Sequence, residues 1–250
     1  MAVGYNPRIV TDGLVLALDA GNTKSYPGSG TSWSDLSGNG NNGTLENGVG
    51  YTADNGGALS FDGSNDYINT SLTYQNNNDY TISCWINTSV TQRCGLIGFR
   101  RAYTATDWWQ TQIYITGDNV AGTSGNFLKL DDFNRNAGGS PEFPAQRSIF
   151  LNTESITTGT WKNIVVSSDS VGARLYINAE LKAQENSTPS PTRFDAATFT
   201  IGAASNYPSG LLAGYYYNGK MSNAKFYSKA LTPQEIQQNY NALKSRFGLT

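Results

Sequence analysis

The sequence contains no histidine. That absence removes Ser-His-Asp and Cys-His nucleophile systems and every imidazole metal site. Two cysteines, Cys84 and Cys94, are too few for a four-cysteine zinc site. No apolar stretch approaches the roughly 18 residues of a membrane-spanning helix. The opening residues, MAVGYNPRIV, hold one base and no apolar run of signal-peptide length. Synthesis in a cytosol is therefore expected, with Cys84 and Cys94 as free thiols. The Asn-x-Ser/Thr sequons at Asn42, Asn69, Asn87 and Asn186 then have no glycosylating compartment to act in. A net charge of −2 and a pI of about 5.1 argue against a nucleic-acid partner. Charge is uneven along the chain: residues 1–92 carry −6 and residues 93–250 carry +4. Drift across one surface accounts for this, as does head-to-tail packing between copies.

Polar content comes instead from 26 Asn, 25 Thr and 27 Gly, which favour turns and strands over helices. Thirty aromatic residues argue against disorder. At 250 residues the chain is long enough for one large all-β domain without a covalent staple. Residues 1–10 read as an N-terminal arm, which could add a strand to a neighbour's sheet or simply fray. LVLALD (14–19) has strand length. Residues 20–43 read as a long loop with Trp33 and Leu36 as its anchors. ALSF (58–61), DGSND and YINT (67–70) read as a hairpin. In YTISCWINT (80–88), Tyr80, Ile82, Cys84 and Ile86 share one face, and Thr81, Ser83, Trp85 and Asn87 the other. CGLIGFR, WWQTQIYIT and NFLKL follow, then a polar loop over 131–147. SIFL, WKNIVVSS, ARLYINA, ATFTIGA and GYYYNGKMSNAKFYS complete the strands. Their recurrence predicts an antiparallel sandwich or barrel. One helix is expected over 233–247, opened by the capping box Thr232-Pro233-Gln234-Glu235 and stopped by Gly248. Its narrow apolar face, Ile236, Tyr240, Leu243 and Phe247, suits packing on the outside of the sandwich.

Five segments, in order, resemble the laminin G-like, concanavalin A-like jelly-roll superfamily. They are DLSGNGNNGTL (35–45), ALSFDGSNDYI (58–68), YTISCWIN (80–87), TWKNIVVSSDSVGARLYINAEL (160–181) and GKMSNAKFYSKALTPQEI (219–236). The resemblance implies an all-β jelly-roll sandwich of two antiparallel sheets of six or seven strands, with the single short C-terminal helix. It spans residues 11–250 as one domain that includes helix 233–247. The family's Tyr-x-Asn-Gly turn is here Tyr176-Ile177-Asn178-Ala179, which implies a looser or different turn. The two ends of the chain, PRIVTDGLVLALDAGNTKSYPGSGT and NYNALKSRFGL, resemble structural proteins of marine bacteriophages that carry this domain.

Catalysis is not expected. Glycosidases of this fold use paired carboxylates on one strand, and none of the six glutamates lies in such an arrangement. Asp131 and Asp132 are adjacent, so a strand points them to opposite faces. For carbohydrate binding the densest cluster is Tyr103, Asp107, Trp108, Trp109 and Gln110, aromatic faces beside hydrogen-bonding groups. Core or interface packing explains the same tryptophans. Tyr215, Tyr216 and Tyr217 alternate similarly and read as packing, as do Trp85 and Trp161. No cofactor is required. The resemblance leaves room for one structural calcium, at Asp35 with Asn39 and Asn41 or at Asp62 with Asn65 and Asp66, although Asx-turns use the same residues. The reading is thus a non-enzymatic bacteriophage virion protein, made in the host cytoplasm, in head decoration or in a tail or fibre. Its partners would be capsid or tail proteins and a host-surface glycan, with no nucleic acid and no membrane span. The alternative is an adhesin for host-surface glycans.

Overall fold

Strand alternation accounts for the architecture. The computed structural model describes residues 8–73, 79–101, 108–116, 127–135, 147–150, 155–186, 197–206 and 210–250. The strands begin with β1 (Leu14–Asp19), β2 (Ser32–Trp33), β3 (Gly43–Glu46), β4 (Gly50–Thr52), β5 (Ala58–Asp62) and β6 (Tyr67–Thr73). Next come β7 (Tyr80–Asn87), β8 (Cys94–Arg101), β9 (Trp108–Thr116), β10 (Phe127–Arg135), β11 (Arg147–Phe150) and β12 (Lys162–Ser168). The last six are β13 (Ala173–Ile177), β14 (Glu180–Glu185), β15 (Ala197–Ile201), β16 (Ala203–Asn206), β17 (Gly210–Tyr216) and β18 (Asn218–Tyr227). The first sheet runs β14-β13-β12-β7-β18-β5-β4, with β1 also paired to β18. The second runs β11-β10-β9-β8-β15-β6-β3-β2, and β16–β17 form a separate hairpin. Each large sheet therefore has eight strands rather than six or seven.

The core lies between the two large sheets. Leu16, Ile82, Ile97, Ile113, Phe199 and Phe226 are fully buried in it. Phe226 of the first sheet meets Phe99 of the second edge-on at 5.1 Å, and Phe99 meets Phe199 in the same way at 4.9 Å. Such pairs add about 0.5–1.5 kcal/mol each beyond area burial. Cys84 and Cys94 are free thiols buried in the core, and burial pushes both up to about 12. They are inert packing groups at neutral pH.

The outer face of the first sheet is covered as well. The predicted helix is α1 (Pro233–Leu243), continued as a 3-10 turn over Lys244–Phe247. Its capping box is complete: Glu235 N donates to Thr232 Oγ1 at 3.3 Å, and Thr232 N donates to Glu235 Oε2 at 2.8 Å. Ile236 packs on Val10, Val165, Tyr176 and Tyr227. Trp85 stacks on Phe247 at 4.1 Å and on Tyr240 at 5.7 Å. Trp85 and Trp161 are packing residues as expected, but under the helix rather than between the sheets. The described part of the arm is bound to α1: Val10 N donates to Asn239 Oδ1, and Gln238 Nε2 donates to Arg8 O, both at 2.7 Å.

Several local expectations are corrected. Residues 58–70 are not a hairpin, because β5 pairs with β18 and β4 while β6 pairs with β15 and β3. DGSND carries the chain across from one sheet to the other. Buried Asp66 holds that arch by accepting Asp62 N at 3.0 Å. Leu36 is 40% exposed and anchors nothing, whereas Tyr26 joins Trp33 in the core. β10 continues to Arg135, well into the expected 131–147 loop. Asn178 and Ala179 both take left-handed φ, 52° and 65°, so the turn keeps the tight form even though Ala replaces Gly.

Two features of this packing are testable. Gly202 (φ 83°) turns the chain out of β15, and its N–H donates to Leu96 O at 2.8 Å. The β16–β17 hairpin then folds back over β8, where Gly95 lets it lie flat: a Cβ on Gly95 would collide with the Ala203 carbonyl and the Ala204 amide. Gly95→Ala is expected to cost about 1–3 kcal/mol, read from the midpoint of urea unfolding; an unchanged midpoint would mean that the hairpin is not seated there. The second feature is Lys225, 5% exposed beneath α1, whose Nζ donates to Asn223 Oδ1 at 2.9 Å. Burial pushes its pKa down to about 8, against the attraction of Asp19. Between about pH 8 and 10.5 the unfolded chain holds this proton and the folded chain does not, so Lys225 makes stability rise with pH there and adds no slope below. Deprotonating thiols and tyrosines oppose that rise equally in a Lys225→Met variant. The stability of the variant minus that of the native chain should shrink by roughly 2 kcal/mol from pH 7 to pH 10. A constant difference in denaturant melts would show that Lys225 is not desolvated.

Candidate functional site

The five residues expected to contact sugar are only partly placed. Tyr103 and Asp107 lie outside the described residues. The backbone of Trp108, Trp109 and Gln110 opens β9, opposite Arg135, Asn134 and Phe133 of β10. Their side chains lie outside the described residues too.

Further along β9 the structure assembles a different cluster. Ile113 and Ile115 face the core, which puts Gln112 and Tyr114 on the outer face of the second sheet. Gln112 Nε2 donates to Ala203 O at 2.7 Å and so ties β9 to the hairpin. Tyr114 lies directly across from Lys129 on β10 and from Gly95 on β8. Lys129 Nζ sits 5.6 Å from the Tyr114 ring centroid. The Arg93 guanidinium, just before β8, sits 5.6 Å from the same ring and 5.0 Å from the ring of Tyr215 on β17. All three distances are within cation–π range. Tyr114 is 6% exposed, Lys129 and Tyr215 are half-buried, and Arg93 is exposed. Burial lowers the pKa of Lys129, and the positive charge of Arg93 lowers it further. The result is a surface on which both cations approach the Tyr114 ring and Arg93 also approaches Tyr215.

Sequence reasoning missed Arg93 and Lys129. The signal for Lys129 was present: it interrupts the apolar alternation of Phe127-Leu128-Lys129-Leu130, which marks an outward position. Arg93 had no such signal, since only the fold-back of the hairpin brings Tyr215 to it. Of the three consecutive tyrosines, only Tyr217 is a core residue, its hydroxyl donating to Asn87 O and Lys220 O at 3.1 Å.

The other candidates are occupied by their own structure. A cavity of about 310 Å³ is lined by Asp169, Arg174, Tyr176, Leu231, Thr232 and Pro233, with Ala230 at its edge. Its Arg174 is paired with Asp169 at 2.8 Å, and Asp169 also accepts the amides of Val171 and Gly172. Asp35 accepts from Ala17 N, Ser37 N, Ser37 Oγ and Asn41 N at 2.7–3.0 Å, while Asn39 and Asn41 donate their side-chain amides to Val15 O. That is a loop organised by Asx geometry. Asp62 and Asp66 are close, and Asp66 has a raised pKa from burial first, but both carboxylates bind backbone amides of the arch. Among the described residues no group of three His, Cys, Asp or Glu side chains could hold a metal ion. Among them, too, no helix is long and apolar enough to cross a membrane.

Comparison with known proteins gives the family. Residues 62–237 match the model of the concanavalin A-like lectin/glucanases superfamily. A search of curated protein sequences finds no match. Among solved structures, the binding domain of Paraclostridial Mosquitocidal Protein 1 is similar with a TM-score of 0.63 at 15% identity, over 93% of this chain and 52% of that one. Domain 4 of a GH43 extracellular arabinanase from Geobacillus stearothermophilus, solved with arabinotriose, has a TM-score of 0.61 at 18% identity, over 91% of this chain and 98% of that one. The botulinum neurotoxin serotype D ligand-binding domain, solved with N-acetylneuraminic acid, has a TM-score of 0.63 at 15% identity, over 92% of this chain and 51% of that one. The chain thus spans about half the length of the two toxin domains and nearly all of the arabinanase domain. At these identities the likeness is one of fold. The family match covers well over half of the sequence, and the chain belongs to the concanavalin A-like lectin/glucanases superfamily.

Proposed function

We propose that this chain is a non-enzymatic glycan-binding module, carried as a structural component of a bacteriophage particle. One observation carries the glycan reading: the outer face of the second sheet brings exposed Arg93 and half-buried Tyr215 together beside buried Tyr114. Aromatic surface flanked by hydrogen-bonding groups is the usual chemistry of sugar recognition. The outer face of the first sheet, by contrast, is covered by α1. Arabinotriose on the arabinanase domain and N-acetylneuraminic acid on the neurotoxin domain support a binding role for the shared fold. The absence of histidine and the structural use of Asp35, Asp62, Asp66 and Glu235 support binding without turnover. The particle assignment rests on the resemblance of the chain's two ends to phage structural proteins, and it makes capsid or tail proteins the expected partners.

Quantitative mass spectrometry of purified particles tests the assignment. Hundreds of copies per particle indicate head decoration, and a few to a few tens indicate a tail or fibre component. Absence from the particle sinks the virion role. A glycan panel tests the binding role separately: saturable binding without release of product is expected, whereas measurable turnover or no binding at all overturns it.

A further inference from the structure

We propose that the cavity beside the first turn of α1 binds a small aliphatic carboxylate, held by Arg174 and Tyr176. The proposal is independent of the glycan reading and of the second sheet. The cavity, about 310 Å³, lies between the β12–β13 turn and the start of α1 and has room for one amino-acid-sized group. Acceptors on its wall are used by the fold, while two donor groups are not. Asp169 accepts the amides of Val171 and Gly172 and one Nη of Arg174. Leu231 O accepts Ser167 Oγ, and Thr232 O accepts Ile236 N, both at 3.0 Å. Arg174 gives Asp169 that single Nη and makes no other hydrogen bond among the described residues, so the rest of its fork is unspent. Tyr176 is 3% exposed, and its hydroxyl has no hydrogen-bond partner among the described residues. The side-chain atoms sealed in without a partner belong to Trp33, Asn69 and Asn223, so the Tyr176 hydroxyl opens into the cavity that its residue lines. Burial raises its pKa against the nearby charge of Arg174, and it stays a protonated donor near neutral pH.

Unspent donors call for an acceptor, and a carboxylate supplies two oxygens with no hydrogen of its own. Arg174 can meet it with the planar edge of its guanidinium, and Tyr176 with its hydroxyl. The N-terminal end of the helix dipole favours the same charge. A hydroxyl-rich acid fits less well, because its O–H groups find these acceptors taken. The walls select the body of the ligand: Ala230, Leu231 and Pro233 are apolar. Two exposed apolar side chains stand at the margin. Val171, 62% exposed, belongs to the turn that binds Asp169, and Leu181, 47% exposed, lies directly across from Tyr176 on β14. A carboxylate on a compact apolar body occurs in a free branched organic acid and in the carboxy-terminal residue of a peptide.

Backbone-amide NMR titration of the full chain near neutral pH compares N-acetylvaline, N-acetylvaline amide, isovalerate and galacturonate. N-acetylvaline or isovalerate should bind saturably, moving the amide resonances of Gly172 and Leu231, and roughly tenfold or more tightly than N-acetylvaline amide. Either result supports the site: tighter N-acetylvaline identifies a peptide end, and tighter isovalerate a free acid. Tyr176→Phe removes only the unpartnered hydroxyl, so it should leave the unfolding midpoint unchanged and weaken binding roughly fivefold or more. Arg174→Gln should weaken binding further. Lys220→Met, at the opposite end of the strands and paired with Asp54, should leave binding unchanged. If Arg174→Gln fails to fold, Tyr176→Phe and the amide decide the matter. An amide bound as tightly as the acid, or unchanged binding in Tyr176→Phe, overturns the carboxylate site. Galacturonate bound as tightly as the aliphatic acids overturns the apolar selectivity. No saturable shift up to about 20 mM of any acid overturns the proposal and leaves the glycan reading untouched.

Discussion

Trp85 sits on the outer face of a central strand, and an indole there cannot be left in water. Its cover, Phe247 and Tyr240 from the C-terminal segment, is what makes the first sheet a layer buried on both sides. Arg246 locks the cover down by donating to Asp19 Oδ1 and Asn55 O at 2.7 Å and to Gly57 O at 2.5 Å. Lys229 does the same at the other end, bridging Asp12 and Glu235 at 2.7 and 2.8 Å. Once this face is sealed, its polar strand residues Ser83, Asn163, Asn223 and Lys225 are interior groups. They satisfy or perturb one another, and ligand recognition is left to other surfaces.

The second sheet is treated differently. Only the short β16–β17 hairpin crosses its outer face among the described elements, and it does so where Gly95 removes a side chain from the path. The hairpin brings Tyr215 over the start of β8, and the register of β8, β9 and β10 sets Tyr114 between Gly95 and Lys129. Tyr114 and Lys129 are thus fixed by the β8–β9 and β9–β10 ladders, while Tyr215 arrives on a separate hairpin and Arg93 from the residue just before β8. Groups fixed by ladders, as Tyr114 and Lys129 are, lose little backbone entropy when a ligand binds.

Much of the fold was legible because its signals are local. The alternation in Tyr80 to Asn87 assigned both faces of β7 correctly, and Thr232 with Glu235 marked the start of α1 to the residue. What failed was non-local. DGSND has the composition of a hairpin turn, yet it arches between sheets, because composition fixes a reversal of direction and not the partner strand. Leu36 looked like an anchor because it is apolar, but its loop had already placed Tyr26 and Trp33 in the core. The candidate site shows the same division. Trp108, Trp109 and Gln110 drew attention as a local run of aromatic and polar residues. Arg93 and Tyr215 are 122 positions apart, and no local pattern announces that they meet.

Several cations are held by carboxylates of the fold itself. Arg174 is held by Asp169, Lys182 by Glu180, Lys220 by Asp54, Arg246 by Asp19 and Lys229 by two carboxylates. Lys225 is enclosed beneath the helix and loses part of its basicity to burial. Arg93 and Lys244 rest on rings instead: Arg93 lies over Tyr114 and Tyr215, and Lys244 over Tyr240. A cation resting on rings keeps its hydrogen-bond donors pointing outward in the guanidinium plane, since the ring faces engage the π-surface and leave the N–H groups unspent. A carboxylate partner would have consumed those donors. Among the described residues the fold therefore orients this exposed arginine on aromatic rings, without a carboxylate partner.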